Sequence, residues 1–261
     1  MAFEKITYKL DGDIAVIAFN DPATLNAAGL DVVSELISAF DMAAGEARCV
    51  ILTGTGRGFC SGANLSAGGS APRTRAPDIG SGLDSHYHPL IMAMKELPCP
   101  IVSAVNGVAA GIGCSIALMG DMIIAGESAS FLQAFRRIGL VPDGGSTWIL
   151  PRLIGRARAM EMVLLGEKIS PAKALEWGLI NQVTTDDDLM NTAMELAGRL
   201  ASGPTTALAL GRSLVWEGAD RNFEAQLHAE RTAQRTAGRT KDVAEGIKAF
   251  LEKRPAKFTG K

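Results

Sequence analysis

A glycine-rich segment between residues 101 and 118 could hold a negative charge. Its first apolar run, Ile101–Val105, is typical of a buried strand, and its second, Cys114–Leu118, is typical of a buried helix. A glycine-rich turn between them directs unpaired backbone N–H groups and the positive end of a helix dipole at one point. The segment therefore predicts a site for a phosphate, a carboxylate or a developing oxyanion. A close-packed strand-to-helix corner, in which glycine only avoids a clash, explains the same residues.

Asp143 is the side chain whose surroundings best suit it to proton transfer. It lies in the apolar, turn-rich sequence Gly-Leu-Val-Pro-Asp-Gly-Gly of residues 139–145. Apolar neighbours would raise the pKa of its carboxyl group toward the range that acid–base catalysis needs. The same turn is a common structural motif, because an aspartate can hydrogen bond to its own backbone. Both roles of Asp143 stay open from the residues alone, whereas Asp121, at the end of an apolar run, is interpreted as structural.

Three other motifs lack the context that their chemistry needs. Cys60, in Gly-Phe-Cys-Ser-Gly, resembles the nucleophile of a hydrolase elbow, but such an elbow needs a strand directly before it and a helix directly after it. The sequence Gly-Thr-Gly-Arg-Gly of residues 54–58 resembles a dinucleotide-binding turn, but no helix pattern follows it. His86 and His88 would face opposite sides of a helix, so we expect a surface pair at a helix start rather than a metal site.

Composition excludes several classes of function. The chain has 261 residues, 47% hydrophobic and 21% charged, which is enough to fill a sizeable core. The net charge of −2, with scattered basic residues, argues against nucleic-acid binding. Four cysteines without a C-x-x-C pair predict buried reduced thiols. Neither an apolar signal core nor a run of eighteen apolar residues occurs, so we expect a cytoplasmic protein that does not bind membranes.

The elements that must position these residues follow an α/β order. Residues 3–10 and 13–20 alternate around an Asp-Gly-Asp turn and predict a hairpin, and later segments predict strands and helices in turn. The strands are expected at 48–53, 101–105 and 121–125, and the helices at 30–45 and 83–96. No strand or helix is predicted over residues 54–65, and the Gly/Ser/Pro-rich residues 66–82 are predicted to form a mobile lid beside the site.

After about residue 150 the pattern becomes helical. Six helices are predicted, at 157–165, 171–177, 187–201, 205–217, 222–237 and 241–252. No linker composition separates this part from the rest, so we expect a single domain over residues 1–261.

Motifs in nearly the whole chain resemble the enoyl-CoA hydratase/isomerase family, also called the crotonase family. The matching segments, in order, are Asn20–Pro22, Leu25–Ala27, Arg57–Leu65, Val105–Cys114, Phe131, Gly139–Pro142, Gly144–Gly145, Arg156–Gly166, Ala174, Gly178–Ile180 and Glu245–Phe258. The resemblance implies an α/β fold with a crotonase-type spiral of ββα turns over residues 1–200. A helical region over 201–261 would serve trimerisation, in a homotrimer or a dimer of trimers.

The resemblance also implies a substrate and its contacts. The substrate would be an acyl-CoA thioester, with CoA as part of the substrate and no separate cofactor or metal. The backbone N–H groups of Ala63 and Ile112 would bind the thioester oxygen, although the family usually has glycine at the second position. The implied substrate-binding residues are Leu25, Ala27, Ser61, Asn64, Leu65, Gly111, Phe135 and Pro142.

Two departures from the family pattern bear on the reaction. The two glutamates of the family's hydratases are replaced by Ser115 and Phe135, whereas Asp143 matches the single catalytic carboxylate of its isomerases. The resemblance is strongest to the phenylacetate-pathway isomerase branch. It implies an isomerase that shifts a double bond or rearranges a ring-epoxide CoA thioester through an enolate. A hydratase working through Asp143, a CoA-ester hydrolase and a non-catalytic acyl-CoA-binding homologue stay open as alternatives.

Overall fold

A six-stranded sheet forms the centre of the computed structural model, which describes residues 3–64 and 78–261. Its first two strands form the predicted antiparallel hairpin, and each later strand joins its neighbour in parallel. The strands, in spatial order, are β1 (Ile6–Asp11), β2 (Ile14–Phe19), β3 (Cys49–Gly54), β5 (Ile101–Val105), β7 (Met122–Gly126) and β9 (Gln182–Thr184). All five residues of β5 are buried, as its unbroken apolar run predicted.

A second, smaller sheet consists of three parallel strands that the sequence did not predict. They are β4 (Gly58–Cys60), β6 (Val108–Ala110) and β8 (Ser130–Leu132). No strand or helix was predicted over residues 54–65, where β4 lies. Three residues are too few to show an alternating pattern, so these strands are recognisable only through their partners.

Nine α-helices are found in the described residues, close to the predicted ones. They are α1 (Leu30–Glu46), α2 (His88–Glu96), α3 (Ile112–Ala117), α4 (Ser146–Leu165), α5 (Pro171–Trp177), α6 (Leu189–Ala201), α7 (Thr205–Gly218), α8 (Phe223–Ala237) and α9 (Lys241–Leu251). Helix α4 begins at Ser146 rather than at 157, and its backbone breaks at Gly155, where φ is 75°. Pro151 and this break hide the early part of α4 from a periodicity argument. None of the described helices is long and apolar enough to cross a bilayer.

The large sheet is covered on both faces, which confirms the predicted α/β class. Helix α1 packs buried residues such as Leu36 and Phe40 into the larger core cluster. Helix α6 packs Leu189 and three alanines into the smaller cluster on the opposite face. Alternate residues of β3 and β5 belong to the two clusters in turn, as expected for strands buried on both sides.

The C-terminal helices are attached by polar contacts and expose large apolar side chains. Arg212 on α7 makes a 2.7 Å ion pair with Asp121, which also accepts the N–H of Ile101. The interpretation of Asp121 as structural is therefore supported. Helices α7 to α9 carry apolar side chains that are more than half exposed: Val215, Phe223, Ile247, Phe250 and Leu251.

Candidate active site

Two parallel strands of the small sheet end side by side and bring two distant segments together. Cys60 of β4 lies opposite Ala109 of β6, so the segments that follow these strands leave the same edge of the sheet. A Cβ atom added at Gly113 would lie only 2.2 Å from the carbonyl oxygen of Cys60. Glycine at 113 is thus required for the close approach of α3 to the end of β4.

Each of these segments presents a backbone N–H group without an acceptor. Ile112 is the first residue of α3, so its N–H has no carbonyl one turn earlier in the helix to bind. Within residues 3–64 and 78–261, neither this N–H nor that of Ala63 donates a hydrogen bond. Gly111 turns the chain into the helix with φ 55° and ψ −127°. Two such donors at one strand edge can stabilise negative charge on an oxygen atom.

The segment that carries Ala63 is hydrogen bonded to the earlier segment that carries Ala28. Ala28 donates its N–H to the carbonyl of Gly62 at 2.7 Å and forms a bridge with Ala63. The buried hydroxyl of Tyr87 donates in turn to the carbonyl of Ala28 at 2.6 Å. Tyr87 did not enter the sequence prediction, because nothing in its local sequence indicates this contact with a residue far along the chain.

Asp143 lies in the turn before α4, with a perturbed carboxyl group. Burial raises the pKa of Asp143 to about 6, and the nearby charge of His88 opposes this rise. Its Oδ1 atom is buried and has no hydrogen-bond partner among the described residues. A carboxylate of this kind can take up and return a proton near neutral pH.

The turn that carries Asp143 packs directly against the helix that carries the Ile112 N–H. A Cβ atom added at Gly144 would lie 2.5 Å from Cδ1 of Ile112 and 2.8 Å from Cβ of Ser115. The turn of Asp143 therefore lies against α3, which we call the donor helix because it carries the Ile112 N–H. An acid–base group that works beside a site for a developing oxyanion needs such a position.

His88 was interpreted from the sequence as one of two surface histidines, and the structure gives it neighbours. Its Nδ1 atom lies 3.3 Å from the Asp84 carboxylate, one helical turn earlier. Its side chain is 52% exposed, and its charge acts on Asp143. The signal available in the sequence was the spacing of four residues between Asp84 and His88, which favours an ion pair on a helix.

The remaining predicted site residues differ in burial and in hydrogen bonding. Phe135 is buried, and its ring atom Cζ would lie 3.8 Å from a Cβ atom added at Gly111. The hydroxyl of Ser61 donates to the carbonyl of Thr24, and its N–H donates to that of Leu25. Of the others, Ala27 and Pro142 are half-buried and Asn64 is exposed. Leu65 and most of the predicted lid, residues 66–77, lie outside the described residues.

The rejected cysteine motif stays rejected. Cys60 is fully buried in β4, and burial raises the pKa of its thiol to about 12. A thiol is nucleophilic as the thiolate, so this side chain is inert at neutral pH. All four cysteines lie in described residues and are buried and free, as predicted.

Comparison with known proteins gives concordant matches over the whole chain. Residues 9–261 match the model of the enoyl-CoA hydratase/isomerase family. A 1,2-epoxyphenylacetyl-CoA isomerase of Escherichia coli is 42% identical over 99% of both chains. A probable enoyl-CoA hydratase of Rhodobacter capsulatus is also 42% identical, over 100% of both chains. The crystal structure of an enoyl-CoA hydratase from Bacillus anthracis superposes with a TM-score of 0.92 at 30% identity, covering 99% of this chain and 100% of that chain.

Proposed function

Because the chain belongs to the enoyl-CoA hydratase/isomerase family, we propose that it is an acyl-CoA isomerase with Asp143 as its single acid–base group. The observation that carries the proposal is the half-buried carboxylate of Asp143, on a turn that packs against Ile112, whose N–H and that of Ala63 donate no hydrogen bond within the described residues. The reaction would shift a double bond or rearrange a ring-epoxide CoA thioester. The name of the Escherichia coli relative supports the second form.

The proposed mechanism divides the work between two N–H groups and one carboxylate. The N–H groups of Ala63 and Ile112 bind the thioester oxygen and stabilise the enolate, and one such donor contributes about 3–4 kcal/mol in comparable sites. The carboxylate of Asp143 removes a proton from one carbon of the acyl group. The protonated Asp143 then returns that proton to another carbon, so that no water is consumed.

Ser115 and Phe135, at the positions of the two hydratase glutamates, favour isomerisation over hydration. Ser115 donates its hydroxyl hydrogen to the carbonyl of Asp143 at 2.9 Å, and Phe135 offers a buried apolar ring. Neither side chain can split a water molecule as a pair of carboxylates does. Hydration stays the second candidate, because the Rhodobacter capsulatus relative is described as a probable hydratase.

The test compares the two reactions on one preparation. Absorbance of the conjugated product follows isomerisation of a 3-enoyl-CoA, and loss of that absorbance follows hydration of a 2-enoyl-CoA. We expect isomerisation to be much the faster. Asp143→Asn keeps the shape and removes the base, so kcat should fall by about 10²–10⁴-fold while acyl-CoA still binds.

Asp41→Asn, at an exposed position on α1, is the matched control and should isomerise at the parent rate. Parent protein that hydrates faster than it isomerises would contradict the reaction assignment. An Asp143→Asn variant with the parent rate would make Asp143 a structural turn residue.

We also propose that the chain assembles as a trimer or a dimer of trimers. Support comes from the exposed apolar side chains of the C-terminal helices, including Phe223 at 79% and Phe250 at 83% exposure. Several large apolar side chains exposed on neighbouring segments of the chain are typical of a protein–protein interface. Sedimentation velocity at micromolar concentration should show a trimer or hexamer, and a monomer at that concentration would contradict the proposal.

A further inference from the structure

A serine on the donor helix holds the main chain of the acid–base residue. We propose that Ser115 is a positioning residue for Asp143, an inference that rests on the isomerase function proposed above. The Ser115 Oγ donates a hydrogen bond to the main-chain carbonyl of Asp143, with an oxygen–oxygen distance of 2.9 Å. Ser115 is fully buried on α3, the helix whose first N–H belongs to Ile112.

The carboxylate of Asp143 receives its direction from its own main chain. Its buried Oδ1 finds no hydrogen-bond partner in the part of the chain that the structure describes. Its carbonyl oxygen, by contrast, accepts the hydroxyls of Ser115 and Ser146 at 2.9 Å each and the N–H of Ser146 at 3.2 Å. Since a peptide unit is planar, fixing this carbonyl fixes the peptide that follows Asp143 and limits where the carboxylate points.

The Ser115 hydroxyl has one competing acceptor, and the distances rank the two. Its Oγ lies 3.4 Å from the carbonyl of Gly111, against 2.9 Å from that of Asp143. A hydroxyl has one hydrogen to donate, and the shorter contact lies within the usual range for an O–H donor. The bond to Asp143 is therefore the principal one.

Space around Ser115 also links it to the turn. A Cβ atom at Gly144 would lie 2.8 Å from Cβ of Ser115, so the turn rests directly on this small side chain. A longer side chain at 115 would have to displace the turn and with it Asp143. The position of Asp143 thus depends on a small side chain with a hydroxyl group at 115.

One turn of α3 then sets the geometry of both reacting groups. Ile112 offers the N–H for the oxyanion, and Ser115, three residues later, holds the base. The separation of donor and base is set by a helix rather than by a loop. Misplacing a reacting group by about 1 Å can cost roughly 10²-fold in rate.

The experiment removes the hydroxyl and reads the reaction in two backgrounds. Ser115→Ala should lower kcat for a 3-enoyl-CoA roughly tenfold through loosened placement of the base, with KM within about twofold of the parent. Ser146→Ala should act in the same direction. Ser103→Ala is the matched control, because Ser103 is fully buried and its Oγ has no partner among the described residues; it should keep the parent kcat.

The double variant separates positioning from general support of the fold. In the Asp143→Asn background, Ser115→Ala should leave the residual rate unchanged, because its effect passes through the missing carboxylate. The same fold-loss in both backgrounds, or a parent rate for Ser115→Ala alone, would overturn the inference. If Ser115→Ala does not fold, Ser146→Ala gives the same comparison. A parent rate for Asp143→Asn would instead refute the proposed isomerase function.

Discussion

The two sides of the candidate site are built from different materials. The donor side consists of the N–H groups of Ala63 and Ile112, fixed by the ends of two paired strands. The base side consists of the side chain of Asp143, on a turn held by two serine hydroxyls. A backbone N–H survives almost any substitution, so isoleucine at 112 still provides the donor. A carboxylate depends on one residue, so in the proposed mechanism the base side decides which reaction the two N–H groups assist.

The donor side should break when its backbone is pushed apart. In Gly113→Ala the new methyl group meets the carbonyl of Cys60 at 2.2 Å, and that carbonyl belongs to a strand that cannot easily move. We expect kcat to fall by about 10²–10³-fold, as for loss of one oxyanion donor. The free energy of unfolding should drop by about 1–3 kcal/mol, as in other overpacked cores. Steady-state kinetics and urea unfolding measure the two effects.

A second glycine provides the control for that substitution. Gly45 lies in α1, and a Cβ atom added there meets nothing within 4 Å. Gly45→Ala should leave kcat unchanged and stabilise the fold by up to about 1 kcal/mol. Unchanged kcat in Gly113→Ala would show that α3 need not approach β4 so closely for catalysis.

On the base side, a substitution that shifts the Asp143 turn should lower kcat by a smaller factor, and a second substitution should restore part of the rate. Gly144→Ala forces a methyl group against Cδ1 of Ile112 at a residue whose φ is +58°. Displacement of Asp143 should lower kcat roughly 10–10²-fold. Adding Ile112→Val removes that Cδ1 and should restore part of the rate, while the strain at positive φ persists. A Gly144→Ala variant with parent kcat would mean that the turn does not position the base.

The pH profile should report the base side alone. Because burial raises the pKa of Asp143 to about 6, the base is protonated and inactive below that pH. We expect kcat/KM for isomerisation to rise tenfold per pH unit up to about pH 6 and to level off above it. Asp143→Asn should lack this rise. A flat profile of the parent protein between pH 5 and pH 7 would contradict the assignment.

A smaller shift of the same profile should follow from His88. Its charge lowers the pKa of Asp143, against the effect of burial. His88→Gln removes that charge, so the midpoint of the profile should move to higher pH, with the donor side unaffected. A shift to lower pH would show that the charge of His88 does not stabilise the carboxylate.

The sequence by itself determined the elements that local pattern can specify. The hairpin, the buried strand β5 and the helices from α5 onward followed from periodicity and from glycine and proline positions, and they lie where predicted. Asp143 was recognisable because the residues next to it in the chain are apolar and typical of a turn. The resemblance of the motifs to one family added the donor positions, Ala63 and Ile112.

Only the tertiary structure decided how the site comes together. β4, β6 and β8 have three residues each, too few to form without partners from distant parts of the chain, so no local pattern reveals them. Their pairing brings the segments that carry Ala63 and Ile112 to one edge of the small sheet. The contacts of Tyr87 with Ala28 and of Ser115 with Asp143, and the effect of the His88 charge on Asp143, arise in the same way, since each joins residues far apart in sequence. The apolar neighbours of Asp143 predicted the direction of its pKa shift, but the extent of its burial depends on everything packed around it in the fold.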